Sequence, residues 1–153
     1  MDLQVLWFCL VGFFFAAYFV LEGFDFGVGL LLPFLPRNEE ERSTMFRTIG
    51  PVWDGNEVWL VIAGGAMFAA FPAWYATMFS GFYIALLLLL VFLIVRVLSF
   101  EWRERHEHSR WLGLWAWANT IGSLGAALIW GVAFSNLLYG VPQADEARLV
   151  AIA

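Results

Sequence analysis

From Ile84 to Val95 the sequence contains no polar side chain. A helix of that composition has no water-facing side, so it must lie within other protein or within lipid. The remainder of the chain offers too little to bury it in water. Of 153 residues, 62% are hydrophobic and only 14% charged, whereas soluble domains are nearer half and a quarter. A core able to hide this much apolar surface would need a larger protein around it. The composition therefore predicts an all-α integral membrane protein.

A helix crosses the hydrocarbon layer in roughly 20 residues. Four segments have about that length: 3–32, 53–71, 74–98 and 111–138. Pro33, Pro36, Pro72 and Pro142 stand at their ends, where a residue without an N–H donor stops a helix. The expectation is one domain: a single bundle of four transmembrane helices. Between the spans lie a 33–52 loop, a 99–110 loop and a 139–153 tail. In the first loop Asn38 followed by Glu39, Glu40 and Glu41 is the pattern of a capped helix start, so a short surface helix is expected to about Ile49.

All eight basic residues are arginines. Arg37, Arg42 and Arg47 fall in the first loop, and Arg96, Arg103, Arg105 and Arg110 in or beside the second, while Phe71-Pro72-Ala73-Trp74 is uncharged. Arginine-rich short loops remain cytoplasmic. Both termini, and the 139–153 tail, are then expected on the outer face of the membrane. Trp7, Trp53, Trp74, Trp102 and Trp111 fall near span ends, as interfacial rings do. The start Met1-Asp2-Leu3-Gln4 lacks a basic n-region, so the first apolar stretch reads as a retained span. A net charge of -5 leaves no basic stripe for nucleic acid. Cys9 is the lone cysteine and reads as apolar filler, which excludes an intrachain disulfide or cysteine cluster.

Against this background four carboxylates stand out. Glu22 and Asp25 lie within the first span, and Asp54 and Glu57 at the start of the second. Ionisable groups at bilayer depth are costly and mark proton or ion pathways. Each pair has (i, i+3) spacing, so each lies on one helix face. Asp25 is about seven residues from the loop side, roughly 10 Å deep at 1.5 Å per residue. The four acids would thus trace a line inward from the cytoplasm, and they are the proton-path candidates. Two plainer readings stand beside this one. Gly23 and Gly27 have the small-xxx-small spacing of a packing seam, with the acids tied off by neighbours. Asp54 has the position of an ordinary helix N-cap.

Other polar groups are sparse. Asn119, Thr120 and Ser123, near Gly122 and Gly125, read as hydrogen-bonding glue across a helix seam. Arg96 reads as a span-end residue snorkelling to the interface, with pairing to an acid as the alternative. His106 and His108 are the only histidines and sit in the 99–110 loop. A membrane haem needs axial ligands inside the bundle, so a haem in this system is expected on another subunit, and no metal site is expected here.

Several blocks resemble subunit II of the cytochrome bd-type quinol oxidases, including the cyanide-insensitive ones. They are Glu22-Gly23-Phe24-Asp25-Phe26-Gly27-Val28-Gly29, Trp53-Asp54-Gly55-Asn56-Glu57-Val58-Trp59, Ala63 to Pro72, Phe79 to Tyr83 and Gly131 to Pro142. Together they cover nearly the whole chain in order. The family has eight spanning helices in two four-helix bundles, so this chain resembles its N-terminal half. The resemblance implies a terminal oxidase of aerobic respiration, which oxidises quinol, reduces dioxygen to water and draws protons from the cytoplasm. It implies that subunit I carries haems b and d and the quinol site. Subunit II would be a haem-free, non-catalytic scaffold that supplies part of the proton and oxygen routes and can hold a structural quinone. Asp25 and Asp54 match acids associated with proton supply, and Trp59 a position near the oxygen route. Implied partners are subunit I, quinol, small accessory membrane subunits and the lipid bilayer. Taken without the resemblance, the acids equally suit a small proton-coupled transporter or channel subunit, or a purely structural membrane partner.

Overall fold

A computed structural model describes residues 2–139. Six helices make up the fold, with no strand among the described residues: α1 (Leu3–Leu31), α2 (Glu39–Ile49), α3 (Trp53–Ala70), α4 (Pro72–Gly81), α5 (Tyr83–Arg103) and α6 (Ser109–Tyr139). The expected tail from residue 140 onward, with the stop at Gly140-Val141-Pro142, lies outside the described residues. α5 packs along α6, and α1 packs against both α3 and α6. α2 rests on α1, and α4 links α3 to α5.

The expected count of four spans is not reproduced directly. α1, α5 and α6 are long and apolar enough to cross a membrane. α3 has 18 residues, but its first five include Asp54, Asn56 and Glu57, which lowers its apolar character. The predicted third span, 74–98, is also divided. α4 ends at Gly81, Phe82 takes φ -106° and ψ 20°, and α5 begins afresh at Tyr83. α5 then runs to Arg103, past the expected end at 98, and the loop before α6 shrinks to residues 104–108. Pro72 does not merely stop a helix. It opens α4 as a first-turn residue, the position where its missing N–H costs nothing.

Burial is inverted relative to a water-soluble protein. Phe24, Val20, Ile84 and Leu90 face outward, while Glu22, Asp25, Arg96, Ser99, Asn119, Thr120 and Ser123 are buried. Large outward apolar faces on helices whose backbone bonds are satisfied internally suit a lipid surround. The apolar core is small. Phe26, Leu89, Leu93 and Ala126 form one part, and Leu32, Phe46 and Ala116 another.

The close helix contacts do not use Gly23 and Gly27. A Cβ at either would meet nothing within 4 Å. The seam is two residues further on and on another face, at Gly29, where a Cβ would run into Ser123 and come within 2.7 Å of Asn119 Oδ1. Across α5 and α6, a Cβ on Gly122 would lie 2.8 Å from the Phe92 carbonyl, and one on Gly125 would strike the Phe92 ring. Hydrogen bonds join the same surfaces. Thr120 Oγ1 donates to the Gly29 carbonyl at 2.9 Å, and Asn119 Nδ2 donates to Ser99 Oγ at 2.7 Å.

α2 is held at both ends. The Asn38 side chain accepts from the Glu41 N–H at 2.8 Å, and three glutamates fill the first turn, favourable at the positive end of a helix. Arg103, buried at the end of α5, pairs with Glu39, donates to Ser43 Oγ at 3.2 Å and lies 4.5 Å from the Phe46 ring centre.

Candidate functional site

The helix contacts bring three of the four candidate acids around one cation. Glu22 and Asp25 project from the inner face of α1 and are fully buried. Their three-residue spacing stacks them on that face. α5 places Arg96 opposite, itself 0% exposed. The Arg96 guanidinium pairs with Glu22, lies 3.4 Å from Asp25 Oδ2, and lies 3.0 Å from Glu57 Oε1 of α3. Asn56 Nδ2 donates to the same Asp25 oxygen at 3.0 Å. Phe26 and Phe100 cover the guanidinium at 5.0 and 5.7 Å, within range for cation–π attraction.

Arg96 therefore does not snorkel. An arginine this deep is tolerated because three carboxylates and two aromatic faces replace its water. Formal charge still does not balance, since one guanidinium serves three carboxyl groups. Glu22 Oε2 and Arg96 Nε are buried without a hydrogen-bond partner. The carboxylate oxygen has a free lone pair for a proton or a water, and the guanidinium N–H can donate only to a water.

Asp54 stands apart from the cluster. It is exposed, and it does not cap α3: the cap position is Val52, with no side-chain cap bond. Together with Glu57 it lines an otherwise apolar groove between α3 and α5, about 360 Å³ in volume. Glu57 is partly exposed and belongs to both places, touching Arg96 on one side and the groove on the other. Asp54 thus lies outside the bundle and Glu57 at its edge, while Glu57, Asp25 and Glu22 meet at Arg96. Trp59, one turn from Asn56, is half-buried and packs edge-on against Phe13 at 6.0 Å.

Behind Glu22 the character of the interior changes. Tyr18, one turn further along α1 and 0% exposed, accepts a hydrogen bond from Trp130 Nε1 at 3.1 Å. Beyond it lies an apolar cavity of about 330 Å³, walled by residues that include Phe15, Phe19, Met67, Trp74 and Trp130. No acid among the described residues lines this cavity.

Sequence reasoning did not assign Asn56 as the partner of Asp25, nor Tyr18 as a buried hydrogen-bond partner of Trp130. The signal for Arg96 as a hub was available: it is the one basic residue continuous with a long apolar run, and buried acids need a cation. His106 and His108 are exposed at the α5–α6 turn, and His106 lies edge-on to Trp111 at 5.0 Å. They do not fit an axial pair inside the bundle, and among the described residues no cluster of three metal-ligating side chains occurs.

Fold and site together define a helical membrane protein with an ionic cluster buried at its centre. The chain belongs to the cytochrome bd terminal oxidase subunit II family, whose model matches residues 3–152. It is 50% identical over 145 residues to the cytochrome bd-I ubiquinol oxidase subunit 2 of Escherichia coli (strain K12), covering 94% of this chain and 38% of that protein. It is 49% identical over 141 residues to the cytochrome bd ubiquinol oxidase subunit 2 of Bacillus subtilis (strain 168), covering 92% of this chain and 42% of that one. A probable cytochrome oxidase subunit 2 of Haemophilus influenzae is 49% identical over 140 residues. The chain thus spans well under half the length of these relatives.

Proposed function

We propose that this chain serves as the haem-free, non-catalytic subunit II of a cytochrome bd-type quinol:oxygen oxidoreductase. In this reading it scaffolds a haem-bearing subunit I in the bacterial inner membrane and supplies it with protons from the cytoplasm. The observation that carries the proton role is Glu57, which touches the buried Arg96 cluster on one side and an open groove on the other. A purely structural ion cluster needs no such opening. The arginine-rich end, with α2 and the 104–108 turn, faces the cytoplasm, and α3 acts as the fourth span. Carboxylates in a lipid-facing groove would be unfavourable, so subunit I covers the α3–α5 face. Asp54 is then the entry group, Glu57 the transfer group, and Asp25 and Glu22 the interior acceptors. Trp59, with Phe13 and Phe14, lies along the oxygen route. The cavity beyond Tyr18 has the apolar lining that the isoprenoid tail of a structural quinone would need.

The residues of this chain bind, orient and pass hydrogen ions, while haems b and d in subunit I supply the redox chemistry when present. The family relation favours this over a free-standing proton-coupled transporter. Deleting the chain should remove the haem b and d bands from reduced-minus-oxidised spectra of membranes and abolish quinol oxidase activity. Intact bands and intact activity would end the oxidase reading. In assembled enzyme, Asp25→Asn and Asp54→Asn should each lower turnover by roughly a hundredfold or more, the range for losing a positioned proton-transfer group, with haem content retained. Unchanged turnover in both leaves a scaffold and refutes proton supply.

A further inference from the structure

A second polar cavity, separate from the acid cluster, lies where the ends of α2, α3 and α5 meet. It has a volume of about 330 Å³, and its walls include Arg47, Trp53, Phe100, Glu101, Arg103 and Glu104. Trp53 and Phe100 stack with their planes 4° apart, a broad aromatic wall at the level where α3 begins. That is the depth at which tryptophan and lipid headgroups meet. Arg103 is 3% exposed; its Nη2 is taken by Glu39 and Ser43, and its Nε is buried with no partner and left for a ligand. Arg47 is exposed and joins no ion pair among the described residues. α3 starts in this wall without a side-chain cap, which leaves first-turn N–H groups available to an anion.

Two guanidiniums beside an uncapped helix start suit a phosphate. Glu101 and Glu104 argue against a purely anionic occupant. Both are exposed and unpaired among the described residues, and both would repel it. They suit a primary ammonium held a few ångströms from the phosphate.

We propose that this cavity binds the headgroup of a zwitterionic phospholipid with a primary amine. Arg47, Arg103 and the start of α3 hold the phosphate, and Glu101 and Glu104 hold the ammonium. The proposal needs only that the chain lies in a membrane, and is independent of the proton reading.

The test counts lipids bound to the purified protein, with whatever subunits accompany it, by native mass spectrometry. Phosphatidylethanolamine, phosphatidylglycerol and phosphatidylcholine of identical acyl chains are offered in turn, along with soluble phosphoethanolamine. One phosphatidylethanolamine per chain should be retained. Phosphatidylcholine should bind roughly tenfold more weakly, because its quaternary ammonium cannot donate hydrogen bonds to the carboxylates. The soluble headgroup should not be retained. Arg47→Gln should weaken phosphatidylethanolamine by a similar factor. Glu101→Gln with Glu104→Gln should weaken it while strengthening the binding of phosphatidylglycerol, which no longer meets two negative charges. These three positions are exposed, so the substitutions leave the fold intact. Equal retention of all three lipids, a preference for phosphatidylglycerol, or retention indifferent to the variants would each overturn the proposal.

Discussion

At the scale of single residues the protein is organised by Arg96. Its identity follows from geometry. A planar guanidinium can address acids on two other helices at once, whereas an ammonium is a single point of charge. Replacing it with methionine would leave Glu22, Asp25 and Glu57 without their cation, and removing one partner of a buried ion pair costs about 3–5 kcal/mol. Arg96→Met should therefore abolish accumulation of folded protein in membranes, measured by immunoblot and size-exclusion in detergent. Adding Glu22→Gln to Arg96→Met should restore part of it by removing a stranded charge. An Arg96→Met protein as abundant as the wild type would show that the cluster contributes nothing to folding. The acids were legible in the sequence because carboxylates stand out in apolar text. The arginine was legible only as a residue. Its role was hidden because the unbroken apolar run ends beside it. In the structure α5 continues to Arg103, which places Arg96 about two turns inside the helix, too deep to reach the interface.

At the scale of helices, contact is decided by which glycine has a neighbour. The spacing of Gly23 and Gly27 is the same as that of a packing motif, but periodicity does not say which face another helix occupies. Gly29, Gly122 and Gly125 are the ones that admit close approach. Forcing side chains into tight contacts typically costs about 1–3 kcal/mol. Gly29→Ala and Gly122→Ala should each lower the thermal unfolding midpoint in detergent, while Gly23→Ala and Gly27→Ala leave it unchanged or slightly raise it. The reverse order would mean that α1 packs on a different face. The break at Phe82 was not legible either. Only Ser80-Gly81 interrupts the apolar and aromatic run from Met78 to Val95, and glycine inside a helix pattern is a weak stop. α2, by contrast, is written locally in Asn38 and its glutamates. Asn38→Ala should remove about 1 kcal/mol from that helix, read as faster amide exchange over Glu39–Ile49 with the exchange of α6 unaltered.

At the scale of the whole molecule, the outward apolar faces and the buried polar seam are two aspects of one partition between lipid and protein. The groove between α3 and α5 departs from it, since Asp54 and Glu57 share it with Val61, Leu90 and Ile94. In the proposed assembly this face is covered. A cysteine at Val61 should react with a membrane-permeant maleimide when the chain is expressed without subunit I, and should be protected several-fold when the two are co-expressed. Equal labelling would place the partner elsewhere. Helices and their apolar character could be read from the sequence because lipid imposes them residue by residue. The arrangement of the cluster could not, because it depends on three helices meeting at a point.

One cation shared three ways makes the acids a collective. When a hydrogen ion settles on any one of them, Arg96 is partly released to hold the other two more firmly, so occupancy at one position is communicated to its neighbours without any helix moving. Substitutions at Glu22, Asp25 and Glu57 should accordingly fail to add. The double variants, more than the single ones, would reveal how the load is redistributed.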